Sequence, residues 1–164
     1  MSKKNTNYCN KKLVLGDIMS HVKKSLKYFE SKFNCAQSVF ASFSEDLGFD
    51  EKQALKIGGC FGSGMRKGEV CGACTGALMV LGLKYGQSEL GDTESKLKSD
   101  AICSEFLEEF ERRNGSYICN ELLNCDIKTQ EGINYAKENN LFTELCPKLV
   151  ESATVILEDI LNKE

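Results

Sequence analysis

Apolar residues recur at helical spacing along the chain, and no segment shows the alternation of apolar and polar residues that marks a half-buried strand. Spacings of three and four positions place one apolar stripe on a helix that begins near Gly16. Its members are Ile18, Val22, Leu26, Phe29 and Phe33. A second stripe predicts a long helix that ends at Asn114 and Gly115. Its members are Leu97, Ala101, Phe106 and Phe110.

Capping residues predict two further helices between these stripes. Asn34 and Gln37 stand three positions apart, as in a capping box, and predict a second helix that Gly48 closes. Asp50 and Gln53 repeat the signal and predict a short third helix, which a glycine-rich loop then interrupts.

The glycine-rich loop and the apolar run after it, residues 58–86, form the centre of the chain. The apolar run predicts a helix that begins at Cys71 and is buried on most sides. Gly72 and Gly76 share one face of this helix, where they would let another backbone come close. Gly86 is expected to end the helix in the left-handed conformation.

The last third of the chain carries two weak helical signals and a clear one. A short helix is predicted around Cys119, with Cys125 in the turn after it, and a weaker helix over residues 129–139. Pro147 suits the first position of a final helix, which makes Cys146 its N-cap. The buried stripe of this helix is predicted to be Leu149, Ala153, Ile156 and Ile160.

Together these elements predict an all-α bundle of six to seven helices around a buried, glycine-containing central helix. The 164 residues are 41% apolar and include a single proline, which suits one domain with its own core. We expect residues 1–15 to be a flexible polar lead and residues 16–164 to be a single helical, cysteine-rich domain.

The net charge and the hydropathy of the chain argue against nucleic acids and membranes as partners. A net charge of -3 and a pI near 5.4 argue against nucleic-acid binding, which draws on clustered Lys and Arg. The chain lacks the run of about 20 apolar residues that spans a bilayer, and its N-terminus lacks the apolar core of a signal peptide. The sequence therefore predicts a cytoplasmic protein without membrane insertion.

Nine cysteines stand out in a chain that is expected in a reducing compartment. Disulfides are rare there, and cysteine clusters indicate redox chemistry or metal binding instead. We assign Cys9 to the flexible lead and Cys103 to the core. The single histidine, His21, has no motif around it and is expected to be an ordinary surface or boundary residue. The glycines before Cys71 fit no nucleotide-binding motif and are expected to bend the backbone closely around a cysteine site.

Four cysteines fall at or near predicted helix starts, and these are Cys35, Cys71, Cys119 and Cys146. Unpaired amides and the helix dipole favour negative charge at such positions, so they favour thiolates. A thiolate both attacks disulfides and binds metal ions. The placement therefore supports redox chemistry and metal binding alike.

Cys71 and Cys74 form a CxxC motif in which the second cysteine lies one turn into the helix. In a thiol oxidoreductase Cys71 would attack a disulfide and Cys74 would resolve the intermediate. The same motif is half of a four-ligand zinc site, although the chain holds no second CxxC. The two interpretations stay open at this point.

The segment Cys71-Gly72-Ala73-Cys74-Thr75-Gly76 closely resembles the CGAxxG signature of the C_GCAxxG_C_C family of redox-active proteins. The resemblance extends over roughly residues 29–161 and includes Asn34-Cys35-Ala36, Leu81-Gly82-Leu83-Lys84-Tyr85-Gly86, Cys119-Asn120-Glu121-Leu122-Leu123 and Cys146-Pro147-Lys148. It implies a small helical, redox-active protein, and some relatives carry selenocysteine. By position, the four cysteines of the family correspond to Cys35, Cys71, Cys119 and Cys146. Cys74 occupies a free position of the signature, and Cys60 has no counterpart in it.

Three hypotheses about function follow. In the first, the protein is a thiol oxidoreductase or electron carrier that needs no cofactor and acts on a redox partner protein or a small thiol or disulfide. Cys71 is then the low-pKa thiol, and the resolving thiol is Cys35, Cys74 or Cys119.

In the second hypothesis, an iron–sulfur cluster or a zinc or iron ion is held by Cys35, Cys71, Cys119 and Cys146. In the third, the protein is a non-enzymatic interaction protein, for example a homo-oligomer built through the glycine-lined central helix. The first two predict that the sulfur of Cys71 shares one small pocket with at least two of the other three.

Overall fold

The computed structural model describes residues 20–163, which form eight α-helices. Their bounds are α1 His21–Glu30, α2 Cys35–Ser44, α3 Glu51–Gly58, α4 Gly72–Tyr85, α5 Thr93–Asn114, α6 Cys119–Leu123, α7 Gln130–Glu138 and α8 Cys146–Leu161. Short helical turns at Glu45–Leu47, Gly64–Gly68 and Leu141–Leu145 lie between them. The predicted lead at residues 1–15, with Cys9, and the predicted start of the first helix at Gly16 lie outside the described residues.

The prediction of an all-α fold is confirmed, with eight α-helices where six or seven were expected because both α6 and α7 form. Between residues 20 and 163 there is no β-strand, and the only strand-like pairing is an isolated bridge between Val70 and Ile118. Among the same residues, none of the helices combines the length and apolar character that crossing a bilayer requires.

Helix α4 is the central element, and it packs against α2, α5 and α8. Its first half is buried nearly all round, whereas Gly82, Leu83 and Lys84 are exposed. The core around it holds large, fully buried side chains, among them Phe43, Phe106, Phe110, Ile156 and Leu157. Burial of each such side chain contributes about 1.5–3 kcal/mol.

Two glycines of α4 bring this helix against the start of α2, as their shared face predicted. A Cβ atom on Gly72 would meet the Cys35 Cβ at 3.0 Å, and one on Gly76 would meet the Ala36 carbonyl oxygen at 2.6 Å. The two backbones are therefore in direct contact. This face of α4 is covered by α2 of the same chain, so it is not open to the oligomer contact that the third hypothesis used as its example.

The predicted caps of α2 and α3 are confirmed. The Asn34 side chain accepts from the Gln37 amide while the Gln37 side chain accepts from the Asn34 amide, which completes the capping box. Asp50 caps α3 by accepting from the Gln53 amide at 2.9 Å. These caps could be predicted from the sequence because each involves only residues three positions apart.

The predicted end of the first helix is wrong, and so is the predicted conformation of Gly86, although the fourth helix does end at Tyr85. The first helix ends at Glu30 and not near Phe33, because Lys32 adopts a left-handed conformation with φ 72° and turns the chain. Gly86 is extended, with φ -65° and ψ 147°, and not left-handed. A Cβ on Gly86 would lie against the Gly82 carbonyl oxygen, so Gly86 provides a close approach and not a left-handed cap.

The predicted stripe of α5 is correct only in its second half. Phe106 and Phe110 are fully buried, whereas Leu97 is 63% exposed and Ala101 is also exposed. The first turns of α5 extend beyond the core, so the apolar spacing there has no partner surface. For the same reason Cys103 is only half-buried and is not a core residue as predicted.

His21 lies at the boundary between core and solvent, in agreement with its assignment as a surface or boundary residue. Its ring stacks on Phe43 with centroids 4.0 Å apart. The Nε2 atom lies 2.7 Å from Asp46 Oδ2, and Nδ1 lies 3.1 Å from Glu158 Oε1. The side chain thus joins α1 to the turn after α2 and to α8.

Candidate functional site

Four cysteines from four helices line one cavity of about 490 Å³, and these are Cys35, Cys71, Cys119 and Cys146. We call it the cysteine cavity. Cys71, Cys119 and Cys146 are 4%, 7% and 7% exposed, and Cys35 is half-buried. The remaining walls are mostly apolar and include Phe29, Phe33, Leu122 and Phe142. The four cysteines matched to the family signature therefore share one site, and the thiols are recessed from the surface.

Cys71 is the N-cap residue of α4, where its sulfur faces the start of the helix. It makes no short capping bond of the kind a hydroxyl makes, but the amides of Ala73 and Cys74 donate toward the sulfur. The Cys74 thiol also donates to it, and this is the largest cause that lowers the pKa of Cys71 below its ordinary value. Burial opposes this shift, yet the pKa of Cys71 remains lowered. Among the four cysteines of the cavity, Cys71 is therefore the one whose surroundings favour the thiolate form.

Cys74 is fully buried one turn inside α4. Burial raises the pKa of Cys74 far above its ordinary value, and its hydrogen bond to Cys71 raises it further. Cys74 therefore keeps its proton and serves as the donor to the Cys71 thiolate. This division of roles follows from position, because only the first cysteine of the motif meets the free amides at the helix start.

Cys35 and Cys146 form a second hydrogen-bonded pair of thiols. Cys35 is the first residue of α2, and its hydrogen bond to Cys146 raises the pKa of Cys35 well above its ordinary value. Burial and the nearby thiols of Cys71 and Cys119 raise it further. Cys35 is thus the donor of this pair. The pair joins α2 to α8 across the wall of the cavity.

The structure corrects the predicted position of Cys146 at a free helix start. Its backbone is already helical, with φ -56° and ψ -39°, and its amide donates to the Leu141 carbonyl oxygen. The π-helical turn Leu141–Leu145 runs directly into α8. Pro147 does lie in the first turn, as predicted, and Leu145 rather than Cys146 occupies the N-cap position.

Cys119 is the first residue of the five-residue helix α6, and its amide donates to the Glu69 carbonyl oxygen at 2.7 Å. Burial is the main cause that raises the pKa of Cys119 to about 12, followed by the nearby thiols of Cys71 and Cys146. Cys125 lies in the turn after α6, as predicted, and is half-buried beside this group. Cys119 therefore stays protonated near neutral pH.

Glycines in the loop before Cys71 hold three of these helix starts together. A Cβ on Gly62 would lie 2.6 Å from the Asn34 Cβ, beside Cys35, and one on Gly68 would overlap the Asn120 side chain, beside Cys119. Asn34 also donates to the carbonyl oxygens of Gly58 and Gly59. The loop therefore bends closely around the cysteine site, as the sequence predicted.

The same loop contains a feature that no sequence signal marks. Four consecutive residues, Ser63 to Arg66, have positive φ, and three of them are not glycine. Each non-glycine residue in this conformation costs about 1–2 kcal/mol. Such strain clusters at functional sites. Ser63 lines the cysteine cavity, and the strained run places Arg66 next to it.

The donor chemistry of the four thiols suits zinc or an iron–sulfur cluster. In their present positions, however, the residues from 20 to 163 include no group of three or more His, Cys, Asp or Glu side chains that could hold a metal ion. The eight cysteines in this part of the chain are free thiols. The arrangement as it stands is therefore one of two hydrogen-bonded dithiols.

The fold and the cavity define a class: a small all-α protein in which four cysteines meet in one recessed cavity. The chain belongs to the C_GCAxxG_C_C family, because the family model described as "Putative redox-active protein (C_GCAxxG_C_C)" matches residues 33–160. The matched region contains both hydrogen-bonded cysteine pairs, Cys71 with Cys74 and Cys35 with Cys146, and the glycine-rich loop before Cys71. Comparison with curated proteins and comparison with solved structures returned no match.

Proposed function

We propose that the protein is a thiol–disulfide redox protein in which Cys71 is the attacking thiolate and Cys74 the resolving thiol. The observation that carries the proposal is the position of Cys71 at the start of α4, where its sulfur lines a cavity and receives hydrogen bonds from Cys74 and from two backbone amides. A thiolate is the nucleophile in disulfide exchange, and a depressed pKa supplies it near neutral pH.

The reaction balances with the residues of the site. The Cys71 thiolate attacks one sulfur of a substrate disulfide, forms a mixed disulfide and releases the first half of the substrate as a thiolate. Cys74 then attacks the Cys71 sulfur, and its proton passes to the departing second half. The substrate is reduced by two electrons, and the protein gains a Cys71–Cys74 disulfide. The reverse sequence oxidises a substrate dithiol.

Cys35 and Cys119 remain available as alternative resolving thiols around the same cavity. Cys74 is favoured because it already contacts Cys71, whereas Cys35 is engaged with Cys146. We further propose a reducing, cytoplasmic setting, since free thiols persist there. The partner is then a small thiol or disulfide, or a redox partner protein.

The test is a single turnover of fully reduced protein with 2-hydroxyethyl disulfide, a neutral probe. We expect loss of two hydrogens and a Cys71–Cys74 disulfide by peptide mass spectrometry. Cys71→Ser should abolish the reaction, and Cys74→Ser should trap the mixed disulfide on Cys71. Cys60→Ser is the matched control, because Cys60 is an exposed cysteine that does not line the cavity.

The titration of Cys71 supplies an independent check. Its alkylation rate should follow an apparent pKa below the value of about 8.5 for a free thiol. An ordinary pKa at Cys71, or a Cys71→Ser protein that reduces the probe at the wild-type rate, would reject the proposal.

A second candidate function is binding of an iron–sulfur cluster or a zinc or iron ion by Cys35, Cys71, Cys119 and Cys146. The meeting of four thiols from four helices favours it. The side chains would have to turn from their present hydrogen bonds toward a common centre. Metal analysis with an absorption spectrum of anaerobically purified protein decides the question: four-thiolate binding requires near-stoichiometric metal that Cys119→Ser depletes.

A further inference from the structure

A second cavity of about 460 Å³ adjoins the cysteine cavity, with which it shares the lining residues Ser63 and Phe142. Its other lining residues are Arg66, Ile127, Lys128 and Ile133. We call it the basic cavity. Two of its six lining residues are cationic, and none is acidic. It is therefore a positively charged space beside a thiolate, in a chain whose net charge is -3.

The two cations have no acidic side-chain partner in the described part of the chain. The ion pairs there involve other basic residues, among them Lys24, Arg112 and Arg113. The acidic residue nearest to Lys128 along the chain is Asp126, which accepts from the Asn120 side chain and from the Lys128 amide. The acidic residue nearest to Arg66 is Glu69, and no ion pair joins the two side chains. The Arg66 guanidinium and the Lys128 ammonium are both exposed and available to an anion.

The position of Arg66 depends on a backbone conformation that is strained for a residue other than glycine. Arg66 has φ 62° within the left-handed run that begins at Ser63. Gly64 within the run and Gly68 after it are closely packed, because a Cβ on Gly64 would lie 2.5 Å from the Glu69 amide nitrogen and one on Gly68 would overlap Asn120. A strained residue persists only where its surroundings over-determine it. A closely packed loop therefore presents a basic side chain at the basic cavity.

The size and depth of the two cavities indicate what the anion is attached to. Cys71, Cys119 and Cys146 are each less than a tenth exposed, so a disulfide on the surface of a folded protein reaches them poorly. The volume of the cysteine cavity lies within the range of about 300–1,000 Å³ typical of small-molecule sites. The apolar walls suit the methylene arms of a small organic disulfide.

We propose that the substrate is a small organic disulfide or thiol that carries a carboxylate, whose sulfur reaches Cys71 while the carboxylate binds Arg66 and Lys128 in the basic cavity. Guanidinium groups bind carboxylates through two parallel hydrogen bonds, which gives the contact direction as well as strength. This proposal rests on the proposed function, since it names the substrate class of the same thiol site. It makes Arg66 and Lys128 binding residues and leaves the exchange chemistry to Cys71 and Cys74.

The kinetic test compares two disulfides of similar length in single turnovers with reduced protein. One is 3,3′-dithiodipropionate, which has two carboxylates, and the other is the neutral 2-hydroxyethyl disulfide. We expect the wild-type protein to reduce the carboxylate probe roughly tenfold faster at low salt, in line with electrostatic steering. The preference should shrink in concentrated salt.

The Arg66→Gln/Lys128→Gln double variant should lose this preference, so that the ratio of its rates with the two probes falls to about one. The matched control is Lys52→Gln/Lys56→Gln, which removes the same charge from two exposed lysines of α3 that line neither cavity. If the control variant also lost the preference, the preference would come from the net charge of the protein, and the proposed carboxylate site would be rejected.

A binding measurement separates this proposal from the exchange chemistry. Suberate has the chain length of dithiodipropionate but no sulfur, so calorimetry with suberate reports on the basic cavity alone. We expect binding to the wild-type protein that weakens at least tenfold in the double variant. Suberate binding without any disulfide reduction would reject the proposed function and keep the carboxylate site. Reduction of both probes at equal rates without suberate binding would reject the carboxylate site and keep the proposed function.

Discussion

Gly76 of α4 lies against the backbone of Ala36 of α2, so closely that a methyl group on Gly76 would be 2.6 Å from the Ala36 carbonyl oxygen and 3.0 Å from its Cα. Ala36 follows Cys35, and Gly76 lies five residues after Cys71. The contact therefore sets the distance between the two cysteine-bearing helix starts. It gives a physical reason for the last glycine of the CGAxxG signature.

The Gly76→Ala substitution should lower the free energy of unfolding by about 1–3 kcal/mol, because the backbone of α2 must move away. Urea unfolding measures the change. Gly82→Ala is a matched control in the same helix, since nothing lies within 4 Å of its added methyl group. Alanine there should stabilise the protein by about 0.5–1 kcal/mol through helix propensity. Equal effects at the two positions would contradict the close contact.

The Gly68→Ala substitution should lower the free energy of unfolding more when the Asn120 side chain is present than when it is absent. The added Cβ would overlap the Asn120 side chain, which accepts from the Ile127 amide, and Gly68 itself has φ 68°. We expect a loss of about 2–4 kcal/mol in the wild-type background, from overlap and left-handed strain together. In an Asn120→Ala background only the strain of about 1–2 kcal/mol should remain. A double-mutant cycle by urea unfolding tests this, and purely additive losses would oppose it.

Removal of the Cys74 thiol should raise the pKa of Cys71 toward its ordinary value, because the largest stabilising hydrogen bond is lost. At any pH well below the pKa, a rise of one unit lowers the thiolate fraction roughly tenfold. The measurement is the pH dependence of Cys71 alkylation in Cys74→Ala. Cys74→Ser retains a donor and should restore most of the wild-type pKa, which a purely structural role of Cys74 does not predict.

Alkaline pH should destabilise the fold through Cys119. Its pKa is raised from 9.0 to about 12, so between these values the unfolded chain is ionised while the folded chain still holds the proton. The contribution to the free energy of unfolding is therefore full below pH 9 and falls by roughly 1.4 kcal/mol per pH unit above it. Cys35 and Cys74 act in the same direction, whereas the lowered pKa of Cys71 raises stability only as the pH approaches 9 from below and has no effect on the slope above it.

The check is urea unfolding of Cys119→Ser and wild-type protein at several pH values from 8 upward. The variant lacks the titrating thiol, so the decline of its stability with pH should be shallower. Cys60→Ser controls for the loss of one thiol at an exposed position. Parallel declines for wild type and Cys119→Ser would show that Cys119 ionises equally in both states.

Local signals in the sequence predicted the starts of α2 and α3 and the ends of α4 and α5, but not the end of α1 or the start of α8. The caps at Asn34 and Asp50 depend on residues three positions away, so the sequence contains the whole interaction. The end of α1 depends on a left-handed lysine, Lys32, where a glycine or asparagine is the usual signal. The start of α8 depends on a π-helical turn that continues into it, and this moved Cys146 from the cap into the helix.

The sequence predicted which cysteines line the cysteine cavity, but not which of their thiols hydrogen-bond to each other. Helix-start placement and the family resemblance both selected Cys35 and Cys71. The hydrogen bond from Cys35 to Cys146 depends on how α2 lies against α8, which is long-range packing. The basic cavity was missed because Arg66 and Lys128 are ordinary surface residues in the sequence, and only the strained loop brings Arg66 beside the thiols.

The two dithiols span very different lengths of chain. A bond between Cys71 and Cys74 would close a single helical turn and restrict the unfolded chain by only about 2 kcal/mol. A bond between Cys35 and Cys146 would instead close a loop of more than a hundred residues, and such a loop restricts the unfolded chain by about 4–5 kcal/mol. Oxidation of the first pair would therefore change stability less, whereas oxidation of the second would join helix α2 covalently to α8. A disulfide between Cys35 and Cys146 would thus link the oxidation state of the surroundings to the stability of the fold.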